Sequence, residues 1–217
     1  GECYRKGNPH YDQRSTVPAI VDVTTGAVVN NDYHDLTTEL ETAWKKYFRP
    51  DAPDLYPEAL HDDIDALNDI IYADVNLAVN LAALVTSQKD YEFYYNKVFD
   101  RLDWLEKRLS SRRYLFGDTI TDPDIRLYVT LARFDLVFYQ KYYVNKKRLV
   151  DYPNLWNYAK DLYSHPAFGK NTDFDSMRKR FYYVDHTPFE DFPRIVPKGP
   201  DMSIWEEPND RAAKFAK

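Results

Sequence analysis

The chain carries one thiol, Cys3, the side chain with the greatest intrinsic power as a nucleophile. It is followed by Tyr4 and Arg5 and reads as an ordinary thiol near a chain end. His61, Asp62 and Asp63, with Asp65 and Asp69, are metal-capable side chains in one stretch. They interleave with Ile64 and Leu67 at helical spacing, the pattern of a solvated helix face. His10, His34, His165 and His186 are scattered and lack the i, i+4 spacing of paired zinc ligands. The residues by themselves therefore assign no catalytic group and no metal site. The best organised local pattern is structural, at Thr121-Asp122-Pro123-Asp124. Thr121 can accept from the amide three residues on while the Asp124 carboxylate reaches back to the Thr121 amide, a capping box with Asp in the place of Glu. Pro123 suits a first turn, where amides lack partners anyway.

The elements that must position such groups follow from periodicity. Ala19–Val23 and Ala27–Asn30 are β-branched runs joined by Thr24, Thr25 and Gly26, which predicts a hairpin. Leu36–Phe48 has helical spacing and stops before Pro50, and Arg49–Pro57 holds three prolines and reads as a linker. Helices are predicted over about 57–84, 88–110, 122–143, 153–163 and 173–183, with stripes at Leu60, Ile64, Leu67, Ile71, Val75 and at Val98, Leu102, Leu105, Leu109. Residues 125–143 are apolar nearly all round, which places that helix centrally. Arg133 and Asp135, two residues apart, face different ways and need separate partners if buried. The 19 tyrosines alternate with charge at 91–95 and 139–143, as on a half-buried face or an interface. From Thr187 to Pro208 prolines recur too often for regular structure, so the tail is expected to be extended and held by Phe189, Phe192 and Trp205.

Composition sets the outer bounds. At 217 residues the chain can bury a full core. A net charge of -6 with interspersed signs argues against nucleic acid and anionic membrane as direct partners. No run approaches the roughly 20 apolar residues of a bilayer span, and no signal-peptide core is found. A single cysteine fits a reducing, intracellular compartment; Gly1 in place of Met fits either a processed precursor, with a mitochondrion or other organelle then open as the compartment, or a chain given only in part.

The run Arg113-Tyr-Leu-Phe-Gly117-Asp118-Thr-Ile-Thr121-Asp-Pro-Asp124-Ile-Arg126-Leu resembles the signature of the helical domain of glutathione transferases. Its continuation Arg126–Tyr139 is similar to the glutathionyl-hydroquinone reductases, the Xi class. Thr16-Val-Pro18-Ala-Ile-Val-Asp22, Asp54-Leu-Tyr-Pro57-Glu58, Thr86-Ser-Gln88, Asp151-Tyr-Pro-Asn154-Leu-Trp156 and Ile195-Val-Pro-Lys-Gly199-Pro200 follow in the family's order over nearly the whole chain. The resemblance implies a mainly α fold. Residues 1–49 would be the second half of a thioredoxin-like α/β domain, 50–186 a glutathione-transferase helical bundle, and 187–217 an extended tail. The strand-helix-strand that begins a thioredoxin-like domain has no counterpart among these residues. The predicted hairpin would thus offer an unpaired edge to a completing segment or to a partner protein or second copy.

The resemblance also names a glutathione site. Val17-Pro18 matches the turn where a cis proline exposes the preceding backbone to a peptide-like thiol, the alternative being a proline that simply opens a strand. Asn30-Asn31-Asp32-Tyr33 stands where the family has Asn-Asn-Glu-Ser, so Asp32 and Tyr33 are the expected contacts to the γ-glutamyl end. Asp32 is one methylene short, Tyr33 brings a ring in place of a hydroxyl, and Asp32 can alternatively serve only as a helix cap. Glutathione is therefore expected as a weak or vestigial ligand.

The family's catalytic groups are a cysteine in Cys-Pro-Trp, absent from these residues, and two tyrosines. Asn80 stands at the first tyrosine position. The second aligns with Phe181 or Tyr182, a choice the sequence leaves open. Because these positions depart together while the core and cap signatures stay, the expectation is a non-catalytic structural or interaction subunit of a larger assembly. The alternative is a glutathionyl-hydroquinone reductase whose Cys-Pro-Trp half lies outside these residues. A third reading is a binder of glutathione or a hydrophobic ligand without turnover.

Overall fold

The computed structural model describes residues 1–184 and 195–216. Two compact units form, Gly1–Leu60 and His61–Lys217. The proline-rich stretch 49–57 belongs with the first.

The first unit contains α1 (Glu2–Gly7), β1 (Ile20–Asp22), β2 (Ala27–Asn30), α2 (Leu36–Thr42) and a 3-10 turn at Lys45–Tyr47. β1 and β2 are antiparallel, pairing Ile20 with Asn30 and Asp22 with Ala27 across a bulge between Ile20 and Val21. Among the described residues β1 pairs with β2 alone. Asp22 builds the turn: its carboxylate accepts the Thr24 amide at 2.8 Å and the Thr25 hydroxyl at 3.1 Å. Those two bonds hold the carboxyl below the usual range. Gly26 closes the turn at φ +69, a left-handed conformation that glycine adopts without steric cost. At Gly7 the end of α1 approaches β2 so closely that a Cβ would lie 2.9 Å from the Val28 carbonyl oxygen.

The second unit is helical throughout. α3 (His61–Ile71) continues through a π-helical segment, Tyr72–Asn76, into α4 (Ala78–Leu84); α5 (Gln88–Leu109) follows. α6 (Asp122–Arg133) runs through a second π segment, Phe134–Phe138, into α7 (Tyr139–Lys141). α8 (Pro153–Ser164), α9 (Pro166–Gly169) and α10 (Phe174–Lys179) come next, and α10 leads into a third π segment, Arg180–Val184. The predicted stripes form the core: Ile64, Ile71, Val75, Val98, Leu102, Leu105, Leu109, Leu127 and Leu131 are fully buried. Each such side chain contributes about 1.5–3 kcal/mol relative to exposure.

Helix starts are capped both locally and by side chains from other elements. Ser87 caps α5 by accepting the Asp90 amide at 3.1 Å. Glu106, on α5, takes the Asn154 and Leu155 amides at 2.9 and 2.8 Å and so caps α8. Asp135 accepts the Leu149 and Val150 amides, while Arg133 donates to the Val129 carbonyl, the separate partners expected for this pair. The Thr121/Asp124 capping box is present.

Two expectations change. The long helices read over 57–84 and 122–143 are each interrupted by a π segment and that over 173–183 ends in one, where packing adds a residue to the turn. The tail is not simply extended: Met202–Glu206 forms a 3-10 turn and Arg211–Lys214 a short helix, α11. Asp201 caps the 3-10 turn by accepting the Ser203 amide. Trp205 is buried among Trp156, Tyr163, Phe174 and Tyr128, so its anchoring role holds. Phe189 and Phe192 lie outside the described residues. Among the described residues no helix is long and apolar enough to cross a membrane.

Candidate functional site

Asp32 is set by the hairpin's end. Its amide donates to Asn30 Oδ1 at 2.7 Å, and its carboxylate accepts the His34 amide at 2.8 Å. The Leu36 amide bonds to the Asp32 carbonyl, so the turn at 32–35 runs directly into α2. The local capping role open to an aspartate is thus occupied, with one carboxylate oxygen making that contact. Tyr33 follows in the same turn with its ring about half exposed.

Val17 and Pro18 lie just before β1, and the bond between them is cis. Val17 is 90% exposed. The two turns meet at one end of the hairpin, where Asn31 Nδ2 donates to Thr16 Oγ1 at 3.4 Å. All four expected glutathione contacts, Val17, Pro18, Asp32 and Tyr33, therefore occupy neighbouring turns of one unit.

Beside them is a cleft of about 390 Å³ lined by Ile20, Val29, Asn30, Asp32, Asp35, Glu39 and Trp44. Of the expected contacts only Asp32 lines it; Val17, Pro18 and Tyr33 stand outside. Asn30 Nδ2 donates to Glu39 Oε2 at 2.5 Å, tying β2 to α2 along the wall. Sequence reasoning missed Asn30, Glu39 and Trp44 as lining residues. The i, i+4 spacing of Asp35 and Glu39 marks them as sharing a helix face, but nothing local says which face meets the strand.

In the helical unit, Asn80 Nδ2 donates to the Asn76 carbonyl at 2.7 Å. Asn76 Nδ2 in turn reaches Thr130 Oγ1 at 2.6 Å and the Arg126 carbonyl at 3.0 Å, joining the first π segment to α6. Phe181 packs edge-on against Phe138 and Tyr142, and the Tyr182 hydroxyl points to the Leu136 carbonyl. Burial pushes the Tyr182 phenol above its ordinary pKa. Among the described residues no group of three or more His, Cys, Asp or Glu is placed to hold a metal ion.

Comparison with known proteins relates this arrangement to a chemistry. The family described as glutathione S-transferase, C-terminal domain, matches residues 88–161. The glutathionyl-hydroquinone reductase YqjG of Escherichia coli is 36% identical over 214 residues, 99% of this chain and 64% of that protein. The corresponding reductase PcpF of Sphingobium chlorophenolicum is 33% identical over 94% of this chain and 64% of its own length. The chain thus spans about 64% of these curated relatives. Among solved structures, a glutathione transferase from Gordonia bronchialis superposes with a TM-score of 0.92 at 41% identity, covering all of this chain and 67% of that one. Glutathione-bound YqjG superposes at 0.89 with 35% identity, covering 99% and 68%.

These relatives overturn the expectation of a non-catalytic structural subunit. They are reductases, and one is solved with glutathione in place. The absence of Cys-Pro-Trp carries no weight against catalysis in a chain that spans about 64% of its relatives' length. Asn80 departs from the first family tyrosine, and the second is lost if Phe181 is its counterpart and kept if Tyr182 is; the fold around both is retained.

Proposed function

The chain belongs to the glutathionyl-hydroquinone reductase family, the Xi class of glutathione transferases, and on that premise we propose that the protein reduces glutathionylated hydroquinones with glutathione. In the overall reaction the aryl carbon–sulfur bond breaks and a sulfur–sulfur bond forms. Glutathione is oxidised to its disulfide, the aryl carbon is reduced, and the thiol proton ends on that carbon. The observation that carries the reading is the likeness to glutathione-bound YqjG over 99% of this chain.

In this reading the described residues hold glutathione. The Val17 backbone, before Pro18, pairs with the cysteinyl part of the ligand. The free oxygen of the Asp32 carboxylate takes the γ-glutamyl ammonium as a charge-assisted hydrogen bond, with Tyr33 lying against the same end. The outer edge of β1 receives the remaining strands of the thioredoxin-like sheet, in keeping with its pairing to β2 alone among the described residues. Asn80 replaces a phenol in the acceptor region, so quinol hydroxyls there meet an amide or water.

The test is turnover of glutathionyl-menadiol by the full-length protein with free glutathione, following menadiol and glutathione disulfide by chromatography. Equimolar formation of the two is the expected result. No thiol-dependent release of menadiol above the protein-free rate would refute the assignment.

A further inference from the structure

The segment from Asn8 to Ala19 joins α1 to β1 with no strand or helix of its own, yet one point of it is fixed from both sides. Tyr4, on α1, is 8% exposed and sends its hydroxyl to the Thr16 carbonyl at 2.7 Å, with Thr16 Oγ1 a further 3.3 Å contact. Asn31, past the end of β2, donates its side-chain amide to the same Thr16 hydroxyl at 3.4 Å. The Tyr4 ring is itself held, stacked on Tyr11 at 4.6 Å, and Tyr11 donates to the Arg14 carbonyl at 2.9 Å. The next peptide is that of Val17, whose amide and carbonyl enter no hydrogen bond among the described residues.

The geometry points to Tyr4 as a positioning residue for glutathione: with Asn31 it clamps Thr16 and so presents the adjoining Val17 backbone in a pairing-ready state. The inference rests on the reading of Val17 as a glutathione contact. Its physical basis is entropy. Fixing the backbone of one residue costs conformational entropy, and a ligand that pairs with a mobile Val17 would have to meet that cost on binding. Here the cost is met in the fold, by a phenol that touches no ligand.

Two variants of the full-length protein test this. Tyr4→Phe keeps the ring and its stack on Tyr11 and removes the hydroxyl; Asn31→Ala acts from the other side and leaves α1 untouched. Calorimetry should show glutathione binding about three- to tenfold weaker in Tyr4→Phe, the share of one hydrogen bond. The KM for glutathione should rise more than kcat falls, with the melting midpoint lower by no more than about 4 °C. In the ligand-free protein the Val17 amide order parameter should drop from about 0.85 toward about 0.6, and Asn31→Ala should move affinity and order the same way by less. Native protein that binds glutathione, with both variants equal to it in affinity and in Val17 order, would overturn the role of Tyr4 alone. Native protein that fails to bind glutathione at all would overturn the glutathione reading and this inference with it.

Discussion

Tyr158 on α8 donates its phenol to Asp124 Oδ1 on α6 at 2.7 Å, with both side chains closed off from solvent. The same carboxylate accepts the Leu115 amide at 3.0 Å, the Thr121 amide at 2.8 Å and the Thr121 hydroxyl at 3.0 Å. One buried group thus joins the loop before α6, the first turn of α6 and the middle of α8. Burial pushes the Asp124 carboxyl up, and the four donors oppose that shift.

Asp124→Ala should therefore leave several buried donors without an acceptor and cost on the order of 3–4 kcal/mol. For a chain of this size that lowers Tm by roughly 10 °C in calorimetry. Asp124→Asn keeps one acceptor and should cost less. A double-mutant cycle with Tyr158→Phe should show coupling of about 0.5–3 kcal/mol; additive losses would mean that the phenol and the carboxylate act independently.

Alkaline titration should separate the tyrosines. Burial pushes Tyr114 and Tyr128 from 10.0 up to about 12 and Tyr158 well above 10.0. The folded protein therefore keeps protons that the unfolded chain releases near pH 10. Stability is fully present below pH 10.0 and is lost as pH rises through about 12. Tyrosinate absorbance should rise in two phases, with the second coinciding with loss of helical circular dichroism. A single phase completed with the fold intact would contradict it.

Glutathione at one hundred times its Kd should stabilise the full-length protein by about 2.7 kcal/mol, a Tm rise of roughly 5–10 °C. Asp32→Ala removes a local cap, costing about 1 kcal/mol, and should also weaken glutathione binding about tenfold or more through the lost charge-assisted bond. If Tm falls while Kd stays as in the native protein, Asp32 serves the turn alone.

Arg211 on α11 is 1% exposed and donates to four carbonyls, those of Leu109, Arg112, Arg113 and Asn154. Arg211→Met should strand those acceptors, cost on the order of 3 kcal/mol, and make the segment after Pro200 an early site of limited proteolysis. Cleavage no faster than in the native chain would show that Trp205 alone holds the tail.

Much of the helical unit was legible because its signals are local. The stripes at Ile64, Leu67, Ile71 and at Val98, Leu102, Leu105 are one-dimensional patterns, and the Thr121/Asp124 box is complete within four residues. The π segments were not legible, since no residue preference distinguishes Tyr72–Asn76 from an α-turn and the bond from the Leu77 amide to the Tyr72 carbonyl is chosen by packing. The tail's turns escaped because prolines argued for extension while Trp205 and Arg211 decided the matter through contacts far away in sequence. At the candidate site, Asp32 was named through the resemblance of Asn30–Tyr33 to a family run, a signal contained in four consecutive residues. Tyr4 could not be found this way, because its bond to Thr16 spans twelve residues of irregular chain. The functional reading erred by weighing absent and altered residues above the continuous likeness of those present.

The π segment at Arg180–Val184 contains the two residues, Phe181 and Tyr182, whose correspondence to a single family tyrosine the sequence left open. A π turn stores one residue inside a helix, so a length change here need not alter any loop. A change of one residue in length can thus be taken up inside the helix itself, at the cost of turning the side chains beyond it, and the register of Phe181 and Tyr182 becomes a matter of winding as much as of sequence.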